Sequence, residues 1–171
     1  MIRPDLESVP AFYRGYVNNV KDYDMYEILR QSNRQALELI RSIPEAKGEF
    51  RYEAGKWSIK ELLSHMIDVE RIFAYRALRF ARKDKTPLPG FEENDYAPEA
   101  NAHGRSIKEI ADQMERLRQT TIDLFEGFTP EMLSRKGIAS NSELSVVNLG
   151  FIIPGHETHH RKVLQERYLG K

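Results

Sequence analysis

The sequence predicts an all-α protein, a four-helix bundle in one domain over residues 1–171. Three observations lead there. Four segments carry apolar residues at three- and four-residue steps, the mark of amphipathic helices. No run of alternating β-branched residues is bounded by a hairpin turn, so strand signals are weak throughout. The connecting segments suit helices of about five turns or more, packed as a bundle. A chain of 171 residues buries a substantial core without cross-links.

The first helix is predicted from Asp24 to Ser42, where Met25, Ile28, Leu29, Ala36, Leu39, Ile40 and Ile43 form the stripe and Pro44 ends it. The second opens at Ser58 with a capping box, its hydroxyl three residues ahead of Glu61, and runs through "SIKELLSHMIDVERIFAYRALRFARK" without Gly or Pro. Trp57, just ahead of the cap, reads as a hydrophobic staple. The segment "DKTPLPGFEENDYAPEANAHGR" follows, about twenty residues and well beyond an ordinary helix connection. Pro87, Pro89 and Pro98 stiffen it, which predicts an ordered cover rather than a floppy tail. Ser106 and Glu109 form a second capping box, and Ile107, Ile110, Ala111, Met114, Leu117, Leu124 and Phe128 carry the third helix to Thr129-Pro130. The last helix spans Ser145 to Tyr168. Pro154 removes a hydrogen bond to Gly150, so this helix is kinked there or begins there; the kink is favoured, because Leu149, Ile153, His156 and His160 hold one face through the proline.

Composition narrows function by exclusion. With 26 basic and 26 acidic residues the formal charge is zero, and no whole-chain field draws the protein to nucleic acid or an anionic membrane. The absence of cysteine excludes a disulfide framework, a thiolate metal site and a cysteine nucleophile. No apolar run is long enough to span a bilayer, and a cytoplasmic protein is expected.

Histidine placement carries the chemistry. His156 and His160 lie about 40° apart around a helix and one turn apart along it, within the apolar stripe of Ile152, Ile153, Val163 and Leu164. Burying an imidazole without a partner costs on the order of 1–3 kcal/mol, so two in a core stripe call for hydrogen bonds or a metal. His65 repeats the pattern on the second helix, among Leu62, Val69 and Ile72. A metal site of His65, His156 and His160 follows, with a position open for water or substrate. The competing reading keeps them as hydrogen-bonded core histidines. His159 falls at the edge of the stripe, and His103 in the polar loop reads as solvated. His156, Glu157 and His160 also spell H-E-x-x-H, but "RKVLQERYLGK" after them holds no third ligand of the zinc-protease kind. Glu157 then reads as a solvated carboxylate or one supporting the ligands, and Asp68, three residues after His65, as a partner for the far imidazole nitrogen. Both are the candidates for proton transfer.

The stretches "GKWSIKELLSHMIDVERI", "YRALRFARKDKTPLPGFEENDYA" and "GHETHHRKVL" resemble the DinB-like superfamily, near its bacillithiol S-transferases and metal-dependent hydrolases of the YfiT type. The resemblance covers most of the chain from Gly55 on, and its specificity lies in W-S-x-x-E-x-x-x-H combined with a distant G-H-E-x-H-H. It implies a DinB/YfiT-like four-helix bundle, a long loop between helices two and three, a divalent ion on His65, His156 and His160, and a homodimer. Imidazole ligands suit several ions, with zinc and nickel foremost. The expected chemistry is transfer of a low-molecular-weight thiol to an electrophile; hydrolysis by activated water, and a non-catalytic bundle with a structural metal or a protein partner, stand as alternatives. Tyr75, Arg76, Arg79 and Arg82 match the family's basic segment. Arg76 is the candidate contact for an anion or thiol carboxylate, Arg79 and Arg82 read as a solvated face with ion pairs, and Phe91 and Tyr96 are candidates to cap the pocket. Partners are thus a small-molecule substrate, with neither nucleic acid nor membrane.

Overall fold

The computed structural model describes residues 3–20 and 24–170. Seven helices appear among them: α1 Ala11–Asn18, α2 Met25–Arg41, α3 Ile59–Ala81, α4 Glu93–Glu99, α5 Ile107–Glu126, α6 Pro130–Ser134 and α7 Val146–Val163. The four long ones are the predicted bundle. Their contacts close a ring in which α7 packs on α2 and α3, and α5 packs on the same two from the other side. None of the helices is long and apolar enough to cross a membrane.

Local sequence accounts for the starts. Ser58 and Ser106 both form the expected capping boxes, each hydroxyl accepting from the backbone N–H of Glu61 or Glu109 while that glutamate accepts from the cap's own N–H. Ser145 and Asn148 make a third at the start of α7, a pairing with Asn in the Glu position. The helix continues unbroken through Pro154 and widens into a π-turn over Leu164–Tyr168.

A hairpin and the three short helices α1, α4 and α6 exceed the four-helix expectation. Strands β1 Lys136–Ala139 and β2 Ser142–Ser145 pair antiparallel, with Lys136 opposite Ser145 and Ala139 opposite Ser142. Ser140 and Asn141 turn the hairpin at φ 50° and 59°, the left-handed pair that a tight two-residue loop needs. Leu88 hooks the long loop onto this hairpin, donating to the Ile138 carbonyl (2.9 Å) and accepting from Ser140 N–H (3.1 Å). Of the added helices, α1 lies against α7. Gly155 permits that approach, since a Cβ there would collide with the Tyr16 carbonyl.

The core is divided. One apolar half gathers Met25, Leu29, Phe73, Phe125 and Phe151 with α1, and the other gathers Ile40, Leu63, Ile110 and Leu164. Between them runs a buried polar layer to which each long helix contributes: Ser32 and Asn33 from α2, Glu70 from α3, Arg118 from α5 and Glu157 from α7. The histidines stand beside this layer.

Candidate metal centre

His65 sits in the second turn of α3, and His156 and His160 occupy successive turns of α7 where it crosses α3. Their Nε2 atoms converge: His156 lies 3.2 Å from His65 and 3.0 Å from His160. All three ligand atoms fall within 4.8 Å of one another, and no fourth His, Asp or Glu joins them among the described residues. Two nitrogens sharing a tetrahedral ion at roughly 2.0–2.1 Å stand about 3.3 Å apart, so the cluster needs only a small adjustment to close on one.

Electrostatics favour the same use. Burial lowers the His65 pKa to about 4. Burial, then mutual repulsion among the imidazoles, holds His156 and His160 well below the usual histidine range. All three are therefore neutral at pH 7, the form that ligates. The Nε2 of His156 cannot act as both donor and acceptor toward its two neighbours, and His160 Nδ1 is buried with no partner among the described residues. A divalent ion satisfies the converging lone pairs in a way that three imidazoles alone do not, which argues against a purely hydrogen-bonded trio.

Rings enclose the cluster. Trp57 packs on His65 with the rings tilted by 44° and their centroids 4.7 Å apart, so beyond any stapling role it walls the site. Tyr16 lies edge-on to His156 at 5.2 Å, and Phe73 at 6.3 Å. His159 packs on Tyr16 at 5.6 Å, away from the ligand atoms. His103 pairs with Glu49 and approaches Glu61 Oε1 at 3.3 Å, tying the long loop to the start of α3.

Glu157 is not solvated. It is buried and committed to Arg118, with Nη2–Oε2 at 3.2 Å and Nη1–Oε1 at 3.3 Å, and it accepts from Asn33 Nδ2 at 3.2 Å. Arg118 also grips Glu70 in a two-pronged pair, both bonds 2.9 Å, and donates to the Leu29 carbonyl at 2.7 Å. Burial pulls the Arg118 pKa down, but Glu157 and Glu70 outweigh it and the guanidinium is held firmly charged. Asp68 is half-buried and pairs with Arg71 at 3.3 Å; no hydrogen bond joins it to His65.

Besides a void of about 10 Å³ beside His156 and Glu157, two cavities large enough for a small molecule reach the histidines. The larger, about 410 Å³, is lined by His156, Tyr16, Phe73, Arg76, Phe91 and Glu93. The smaller, about 260 Å³, is lined by His160, His159, Trp57, Tyr52, Asn94 and Tyr168. Helix α4 stands between them, presenting Glu93 to one and Asn94 to the other. Phe91 thus lines the larger cavity, whereas Tyr96 is exposed and rests on Phe91 with ring centroids 5.3 Å apart. Arg79 pairs with Asp84, and Arg82 lies over Phe128 at 5.8 Å.

Sequence reasoning did not single out Tyr13, Tyr16, Glu93 or Ser140. The signal for the tyrosines was present: Tyr13, Val17 and Val20 recur at helical spacing and are buried. Glu93 carried no such signal. Partial burial, followed by the neighbouring Glu92, raises its pKa, and no hydrogen bond or ion pair engages it among the described residues.

Comparison with known proteins agrees with the fold. Residues 28–164 match the family model of the DinB superfamily. A protein of Oceanobacillus iheyensis, provisionally named metal-dependent hydrolase OB0413, is 26% identical over 145 residues, covering 80% of this chain and 81% of its own. YfiT from Bacillus subtilis, described as a probable metal-dependent hydrolase with an unusual four-helix bundle topology, superposes with a TM-score of 0.64 at 15% identity, covering 98% of this chain and 93% of its own. At that identity the second likeness is one of fold.

Proposed function

The chain belongs to the DinB superfamily, and on that premise we propose that it is a metal-dependent enzyme that transfers a small thiol to an electrophile. The observation that supports this reading is the pair of cavities, one on the His156 side of the cluster and one on the His160 side. A transfer between two small molecules needs two seats beside the reacting centre, whereas hydrolysis needs one. A divalent ion on the three imidazoles, zinc or nickel, would lower the pKa of a thiol or water placed beside it.

The chain's own residues divide the remaining work. Without cysteine, the sulfur nucleophile arrives with the cosubstrate. Trp57, Tyr16 and Phe73 surround the ligands with ring faces and edges and keep bulk water from the reacting atoms. Glu157 and Asp68 are already engaged with arginines, which leaves Glu93 as the carboxylate free to accept a proton in the larger cavity.

That same Glu93 favours a second reading, hydrolysis, in which it takes the proton of an attacking water and returns it to the leaving group. The names of the two similar proteins point the same way. To separate the readings, zinc- and nickel-reconstituted protein would be given 1-chloro-2,4-dinitrobenzene and an epoxide, each with and without a panel of low-molecular-weight thiols. Thiol-dependent turnover, retained at least in part by Glu93→Gln, is expected for transfer. Turnover without any thiol, abolished by Glu93→Gln, would establish hydrolysis and sink the transferase.

A further inference from the structure

We propose that the larger cavity receives a substrate bearing a carboxylate at the end remote from the histidines, seated on Arg76. The inference rests on the reading of that cavity as a substrate site. Its starting point is a contrast between the chain's two most deeply buried arginines, Arg76 and Arg118, each 2% exposed. Arg118 is held between two carboxylates. Arg76 has none within ion-pairing distance among the described residues; its Nη2 donates to the Pro89 carbonyl (3.0 Å) and to Ser140 Oγ (2.9 Å).

A guanidinium has five N–H donors, and these two bonds together with the nearby Tyr13 phenol leave some of them for a ligand. The flanking rings of Phe73, 5.6 Å from Cζ, and Phe91, 6.0 Å away, soften the cost of the buried charge without neutralising it. A buried cation lacking a counter-charge is costly, and an anionic ligand supplies what the protein withholds.

Position completes the case. Eleven residues separate His65 from Arg76, which returns the guanidinium to within about 20° of the same face of α3. The Phe73 ring stands between the two ends of the cavity, 6.3 Å from the His156 ring and 5.6 Å from Arg76 Cζ. A substrate can therefore place its reacting atom at the histidines and its charge on Arg76. Glu93 lines the same cavity and would repel a dianion, which favours a carboxylate over a phosphate.

The test is calorimetric, on metal-free and zinc-loaded protein, with 3-phenylpropionate, its neutral amide 3-phenylpropionamide, and inorganic phosphate as probes. Wild type should bind the carboxylate about tenfold or more tightly than the amide in both forms. Arg76→Met should erase that preference and Arg76→Lys should keep part of it. Equal affinities, absence of binding by either organic probe, a preference that survives Arg76→Met or vanishes on metal removal, or tighter binding of phosphate would each overturn the proposal. Nickel quenching of Trp57 fluorescence, read in parallel, reports the histidine site separately. Its failure would count against the metal reading, and the wild-type acid-against-amide comparison stands even if Arg76→Met does not fold.

Discussion

Arg118 and Glu157 meet across the middle of the bundle, Nη2 to Oε2 at 3.2 Å, and Glu157 is the residue that follows His156 in α7. The ion pair thereby anchors the helix at the level of its first metal-ligand candidate. Glu70 and Asn33 complete the contact from α3 and α2, so all four long helices share one buried hydrogen-bonded layer.

Removing Arg118 leaves two buried carboxylates without a counter-charge. Arg118→Met is expected to lower unfolding free energy by about 3–5 kcal/mol. Glu157→Gln keeps the two-pronged Arg118–Glu70 pair and should cost less, about 1–3 kcal/mol. Urea denaturation of the two variants checks the order; equal losses would contradict the arrangement.

Metal occupancy should follow the ligand set. After reconstitution with zinc or nickel, elemental analysis should find about one ion per chain in wild type and almost none in His65→Ala or His160→Ala. His159→Ala, whose ring faces Tyr16, should retain the ion. Metal retained in both of the first two variants would place it elsewhere.

Stability of the metal-free protein should fall in mild acid. In the unfolded chain each imidazole titrates near 6.5, while folding holds His65 near 4 and His156 and His160 well below 6.5. These folded-state values are depressed, so the unfolded chain takes up more protons in the interval between. The contribution is fully present above about pH 6.5–7 and is lost as pH drops toward the folded values, at about 1.4 kcal/mol per pH unit for each histidine. Melting temperatures from pH 8 to pH 4.5 measure it, and His65→Ala should flatten the profile. Metal affinity should decline over the same interval, because protons compete for the ligating nitrogens.

Gly155→Ala tests the seat of α1. The added methyl meets the Tyr16 backbone carbonyl, which cannot swing aside as a side chain would. A loss of about 1–3 kcal/mol is expected, with weakened near-ultraviolet circular dichroism from Tyr13 and Tyr16. Unchanged stability would mean that α1 does not lie where described.

What could be read from sequence followed the strength of local codes. Ser58 with Glu61 and Ser106 with Glu109 announced two helix starts, and Pro44 announced an end, because capping and ring closure act within a few residues. The histidines were legible for a related reason: polar rings at helical spacing in an apolar stripe demand a partner. The hairpin was not, since its turn uses Ser140-Asn141 without glycine and each strand has only four residues. Of the two readings of Glu157, the fold excludes the solvated one and leaves that of a carboxylate supporting the ligands; sequence alone leaves both open, because the arginine that buries it lies 39 residues away, on a helix that only the fold brings alongside. Glu93 is not marked by sequence, because nothing in the neighbouring residues distinguishes a carboxylate that the fold places at a cavity.

The polar layer has one more effect, on the alignment of the helices along the bundle axis. Two apolar halves of leucine, isoleucine and phenylalanine would tolerate a slip of one helical turn, about 5.4 Å, with little change in buried area. Such a slip would carry Arg118 away from Glu70 and Glu157 and leave three charges stranded in hydrocarbon. The layer therefore works as a register key, and by forbidding that sliding it keeps His65 on α3 level with His156 and His160 on α7, whether or not an ion is there to hold them.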